Sequence, residues 1–125
     1  MNCPFCNISI DQILLESEYS YAKYDGFPVA NGHALIISKR HVSNYFDLKE
    51  EEQVDMLKLM NLVKIKVENE YGISQYNIGV NCGEEAGQTI NHVHMHLIPR
   101  YKGDVDDARG GVRWVIPSKA KYWDE

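Results

Sequence analysis

His92, His94 and His96 are three of the five histidines in a chain of 125 residues, and they alternate with Val93, Met95 and Leu97. Alternation with period two is the strand pattern. It predicts three imidazoles on one face, about 7 Å apart, with the apolar residues on the other. On a helix the same three residues would splay around the axis and could not act together. Imidazole has no packing advantage over threonine or tyrosine on a strand, so a merely solvated stripe is a poor account of them. Two kinds of chemistry remain. Three imidazoles could hold a catalytic metal with an open position. Alternatively, one is a nucleophile and the others handle phosphate charge and protons. The flanks favour the second. Gly87-Gln88-Thr89 brings flexible backbone, an amide and a hydroxyl to where phosphate oxygens would sit. Pro99-Arg100 follows, and no carboxylate lies in the strand to complete a mixed metal site.

Cys3-Pro4-Phe5-Cys6 is a second group with chemical potential. A redox pair of this spelling needs a strand that delivers it to a helix N-terminus, and only two residues precede Cys3. A zinc site needs two further ligands, usually Cys or His. Cys82 has no evident partner and reads as a small packed residue.

These groups need a scaffold, and its elements are legible in outline. Tyr19 to Tyr24 reads as a strand broken by Gly26, Phe27 and Pro28. Gly32 precedes a short apolar run, His33 to Ile37, that suits a buried strand. Asp47 to Tyr71 carries a helical stripe of Met56, Met60, Val63 and Val67, opened by an Asp47/Glu50 capping box and stopped by Gly72. Gln75 to Val80 reads as a strand, Asn81 to Gln88 as a loop, Ile90 to Ile98 as the histidine strand, and 103–125 as a mostly irregular arm. Strands, a helix, then strands predict one α+β domain over 1–125 with a largely antiparallel sheet.

Composition sets the wider bounds. Apolar residues make up 44% and charged residues 25%, ordinary for a globular domain. A net charge of −5, from 13 basic and 18 acidic residues, argues against a broad nucleic-acid-binding face. No apolar run approaches the roughly 18 residues of a membrane span. No signal peptide is visible, and three cysteines make a poor disulfide framework, so a cytoplasmic setting is expected.

The run from Gln88 to Arg100, Gln-Thr-Ile-Asn-His-Val-His-Met-His-Leu-Ile-Pro-Arg, resembles the signature of the histidine triad (HIT) family. Gly32-His33 at the entry to an apolar strand resembles that family's fourth histidine, and the similarity runs from Cys3 to about Pro117. The resemblance implies a HIT-like domain with one long helix and a short N-terminal helix. It implies a nucleotide hydrolase that works at an α-phosphate through a covalent nucleotidyl-histidine. His94, the middle histidine, would be the nucleophile. His96, His33 and Gln88 would surround the phosphate, with Thr89 near the leaving group and Asn81 in a nearby loop. Asp25 would hold ribose hydroxyls, and Phe5 and Ile8 would flank the base. Some branches of the family resemble this chain in pairing two N-terminal cysteines with two histidines. That implies a structural zinc on Cys3, Cys6, His41 and His92.

Arg109-Gly110-Gly111-Val112-Arg113-Trp114 resembles the tail of microbial members described as diadenosine polyphosphate hydrolases. Its arginines would meet extra phosphates, or the arm would pack on a partner subunit, since homodimers are common in the family. Dinucleoside polyphosphates are therefore the expected substrates, and purine nucleoside phosphoramidates the alternative. A non-enzymatic nucleotide-binding module and a zinc enzyme built on His92, His94 and His96 are the rival readings.

Overall fold

The computed structural model describes residues 3–124, so Met1, Asn2 and Glu125 of the expected 1–125 domain lie outside the described residues. Five strands form one sheet: β1 (Leu15–Glu16), β2 (Ser20–Tyr24), β3 (Ala34–Ser38), β4 (Tyr76–Val80) and β5 (His94–Pro99). Their order is β1-β2-β3-β5-β4, and every neighbouring pair is antiparallel.

The long helix α1 (Glu50–Tyr71) packs on one face of this sheet. Met56, Leu59, Met60, Val63 and Val67 are buried against Ala22, Ala34, Ile36, Met95 and Leu97. The helical stripe and the inward half of each strand thus make one core. The helix begins at Glu50 rather than at Asp47. Asp47 ends a separate turn of 3-10 helix, Tyr45–Asp47, whose start is capped by Asn44 accepting from the Phe46 N–H at 2.9 Å. Glu52 takes the role expected of Glu50 and accepts the Lys49 N–H at 2.8 Å. Arg40 grips the same carboxylate at 2.8 and 3.0 Å, which anchors the helix start to the end of β3. Gly72 closes the helix in the left-handed conformation, φ +68°, as expected.

The other face of the sheet carries Tyr21, Leu35 and Ile37, and the N-terminal segment covers it with Cys3 and Phe5. The Tyr21 hydroxyl donates to the Phe5 carbonyl at 2.6 Å and fixes the segment's height above the sheet. The expected short N-terminal helix is a single 3-10 turn, Ile10–Gln12. The histidine strand begins at His94 and not at Ile90. Val93 precedes it, donates to Val42 at 2.8 Å and accepts from Ser38 at 3.3 Å, so this stretch is bonded to the exit of β3.

The arm is more ordered than expected, with a 3-10 segment (Gly111–Val115) and a short helix α2 (Pro117–Ala120). It closes on itself. Arg113 donates to the Ala120 and Lys119 carbonyls at 2.9 and 2.7 Å and lies 4.7 Å from the Tyr122 ring. Arg109 pairs with Asp107 at 2.9 Å and lies 4.4 Å from the Trp123 ring. The two arginines are engaged within the arm.

Gly32, at the turn into β3, has φ +88°, and a β-carbon there would meet Tyr71 Cδ2 at 2.9 Å and Val67 Cγ1 at 3.0 Å. Gly32→Ala should therefore destabilise the fold by about 2–4 kcal/mol, combining left-handed strain with overpacking. Urea unfolding would check it, with an unchanged midpoint as the contrary result.

Candidate active site and metal centre

Strand register places the histidines. His94 stands opposite Ile37, and His96 lies between Leu35 of β3 and Gly79 of β4. The His94 Nδ1–H donates to the His92 carbonyl at 2.8 Å, so its Nε2 keeps the lone pair. The Phe5 ring lies 5.0 Å from the His94 ring, tilted by 60°. His33 is buried, 3% exposed, just before β3. Its Nδ1 accepts the Val29 N–H at 3.1 Å, and its Nε2 lies 2.9 Å from His96 Nδ1 and 3.3 Å from Asp25 Oδ2.

Burial pushes the His33 imidazole below its ordinary value against the opposing pull of Asp25. His96 is pushed down to about 4, by burial first and then by the charges of His94 and His33. Both rings are therefore neutral at pH 7. Because their folded values lie below the unfolded one, the unfolded chain binds more protons as acid is added, and stability is lost as pH falls from about 6.5 toward 4. His96→Asn removes one of these groups. The wild-type advantage in unfolding free energy over that variant should shrink across this window, and a constant difference would contradict the assignment.

A cleft of about 490 Å³ opens over these rings. Phe5, Asp25, His33, Asn81, Thr89, His94 and His96 line it, as does Gly87. Two expected residues sit differently. Gln88 is buried, its carbonyl accepts from Gly83 N–H at 2.8 Å, and its amide donates to the Ser43 and Ile90 carbonyls at 2.7 and 3.0 Å. That side chain braces the loop and is not among the residues that line the cleft. Ile8 packs against the Cys3, Phe5 and Tyr21 cluster, while Leu35 and Ile90 join Phe5 in the cleft wall. Lys23, Phe27 and Val29 are among the lining residues that were not singled out as site residues from the sequence. Period-two alternation with Tyr21 and Asp25 could have found Lys23, which pairs with Leu35 as Leu35 pairs with His96.

Behind the cleft, Cys3, Cys6, His41 and His92 bring one ligand atom each to within 4.8 Å of one another. Cys3 Sγ is 3.3 Å from His92 Nδ1, Cys6 Sγ is 3.1 Å from His41 Nδ1, and the two Nδ1 atoms are 3.1 Å apart. A tetrahedral zinc with bonds of about 2.0–2.3 Å sets ligand atoms roughly 3.3–3.8 Å apart, close to this spacing. His92 is fully buried, and its Nε2–H donates to the Ser38 carbonyl at 2.6 Å. That bond leaves Nδ1 bare and aimed at the other three atoms, the outer-shell arrangement that a metal-bound imidazole requires. The residues fit a closed Cys₂His₂ zinc site. The histidine stripe is thus divided, with His92 turned to this cluster and His94 and His96 to the cleft.

The family model described as HIT domain matches residues 9–103. A bis(5'-adenosyl)-triphosphatase of Saccharomyces cerevisiae is 34% identical over 116 residues, covering 91% of this chain and 53% of its own length. The chain thus spans about half of that relative. The crystal structure of Plasmodium falciparum diadenosine triphosphate hydrolase matches with a TM-score of 0.75 and 32% identity, covering 80% of this chain and 68% of that one. A Zn-bound histidine triad family protein from Mycobacterium smegmatis matches with a TM-score of 0.68 and 29% identity, covering 74% and 67%.

Proposed function

The chain belongs to the HIT-domain family, and from that premise we propose that it hydrolyses nucleotides at the α-phosphate, with dinucleoside polyphosphates as substrates. The observation that carries this reading is His94, set in the cleft with Nδ1–H bound to the His92 carbonyl and Nε2 left as a lone pair. Nε2 attacks the α-phosphorus, and the bond from phosphorus to the leaving phosphate oxygen breaks. The product leaves as the shortened nucleotide, and a nucleotidyl-histidine remains. Water then attacks the same phosphorus, breaks the P–N bond and releases a nucleoside monophosphate. Charge on the equatorial oxygens is met by His96, the backbone around Gly87 and the Thr89 hydroxyl, a role supported by their position in the cleft lining. Asn81 stands beside them, Asp25 faces the sugar, and Phe5 gives the base an apolar wall.

The acted-on compounds named for the yeast and Plasmodium relatives support the choice of a dinucleoside polyphosphate. Zinc on Cys3, Cys6, His41 and His92 would be structural, since four protein ligands leave no open position for substrate. It would tie the N-terminal segment to β5. A homodimer is supported by the position of β4 at the edge of the sheet and by Leu62 and Ile65, exposed on α1. Among the described residues no helix is long and apolar enough to cross a membrane.

The test is direct. Diadenosine triphosphate, diadenosine tetraphosphate and adenosine 5'-phosphoramidate are incubated with the protein, AMP is followed, and adenylylated His94 is trapped by mass spectrometry. AMP from the diadenosine compounds is expected. Turnover confined to the phosphoramidate would reassign the substrate, and no AMP from any of them would overturn the reading.

A further inference from the structure

We propose that Asp25, together with the backbone N–H of Val29, fixes the proton arrangement of the His33–His96 pair, so that Asp25 is a positioning residue for a hydrogen-bond donor on His96. The inference rests on the hydrolase reading only for what that donor acts on.

One group beside the pair, the Val29 N–H, can only donate. The Val29 N–H lies 3.1 Å from His33 Nδ1, so that nitrogen accepts. A neutral His33 then carries its proton on Nε2. That atom lies 2.9 Å from His96 Nδ1, which must therefore be the acceptor. His96 in turn carries its proton on Nε2, and it lines the cleft. His94, two residues earlier on the same strand, is set the opposite way by the His92 carbonyl. A backbone carbonyl makes one ring a nucleophile, and a backbone N–H, acting through His33, makes its neighbour a donor.

Asp25 completes the arrangement. Its Oδ1 accepts the Phe27 N–H at 2.8 Å, which fixes the carboxylate. Its Oδ2 lies 3.3 Å from His33 Nε2 and 4.0 Å from His96 Nδ1. The carboxylate offers the His33 proton a second acceptor and stabilises positive charge on the pair as phosphate charge develops. The other charged or titratable groups facing the pair are His94 on β5 and Lys23 on β2, both in the cleft wall.

The same three side chains also place ligand atoms within 4.8 Å of one another, as a cation would require. The hydrogen bonds exclude that use. A ligating imidazole needs one bare nitrogen while the other donates, as His92 does to Ser38. His33 Nδ1 faces a donor instead, so a neutral His33 has no bare nitrogen for a metal.

The experiment uses the zinc-loaded full chain and Asp25→Asn. Long-range proton–nitrogen NMR of protein labelled with ¹⁵N-histidine reads the tautomers directly. In wild type at pH 7, His33 and His96 are expected as Nε2–H and His94 as Nδ1–H. In Asp25→Asn, kcat should fall about tenfold to a hundredfold with a smaller change in KM. The His96 titration and the acidic limb of the rate profile should move to lower pH, because a negative charge has been removed. The kcat loss should persist with a 2',3'-dideoxyadenosine substrate, which has no hydroxyls for Asp25 to hold. His96 found as Nδ1–H would overturn the proposal. So would an Asp25→Asn defect confined to KM that vanishes with the dideoxy substrate, since this marks a sugar contact alone. Expected tautomers in a wild-type protein that turns over none of these substrates would sink the hydrolase reading and leave this one standing.

Discussion

His94→Ala should lose about 10⁴-fold or more in kcat while keeping both its zinc and its affinity for substrate. Removing a nucleophile removes the covalent route itself, and the remaining donors only stabilise charge on a phosphate that nothing attacks. The variant keeps them: His96, His33, Thr89 and Asn81 all line the cleft independently of the His94 ring. The zinc cluster does not include His94, so metal content should be unchanged. The variant should also fail to form the adenylylated intermediate that a rapid quench traps in wild type. The two rival readings, and the case in which His94 acts only as a general base, separate on this one protein. A zinc enzyme built on the three-histidine stripe would lose metal along with turnover. A binding module would show no turnover to lose. A general-base role for His94, activating water without covalent capture, would leave no trapped adduct in wild type. Phe5 packs on the His94 ring, so His94→Asn serves as a control that keeps part of the volume.

The stripe shows what was legible in the sequence and why the rest was not. Alternation along β5 and the apolar spacing of α1 are local patterns, and local patterns survive in a single sequence. The helix start did not, because Asp47 and Glu50 have the spacing of a capping box, whereas the carboxylate that accepts at the helix start is Glu52, held by Arg40 from the end of β3 and bonded to the Lys49 N–H. Gln88 has the right type for a phosphate contact, yet its partners are the Gly83, Ser43 and Ile90 backbone groups, and Ser43 lies 45 residues away. The tautomers of His33 and His94 depend on one backbone N–H and one backbone carbonyl. Every residue but proline offers such groups, so no residue type announces them. Lys23 is the opposite case. It alternates with Tyr21 on β2 and with Asp25 just after it, and the same rule that found the histidines would have placed it on their face.

Stripping zinc, or replacing Cys3 with Ser, should lower the melting temperature by more than about 10 °C, and should raise KM more than it lowers kcat. The cluster joins three separate pieces of chain: the N-terminal segment through Cys3 and Cys6, the exit of β3 through His41, and the entry to β5 through His92. Metal binding to such a set is itself folding free energy, because the unfolded chain does not assemble it. Loss of the ion leaves His92, fully buried, with Nδ1 facing two sulfurs and a second imidazole at 3.1–3.5 Å and no charge to organise them. The cost should fall on the N-terminal segment first. Its other ties are the packing of Phe5 and the Tyr21 hydroxyl bond to the Phe5 carbonyl. Phe5 sits between the two cysteines and forms part of the cleft wall beside His94. The apo protein should therefore lose the base-side wall before it loses the phosphate donors, which hang from β3, β5 and the loop before β5. That order predicts weakened substrate binding with the chemical step largely kept. Zinc content, melting curves and the two kinetic constants measured on the same Cys3→Ser preparation decide it. A variant that keeps one zinc per chain and the wild-type melting temperature would show that Cys3 is a packed thiol and not a zinc ligand.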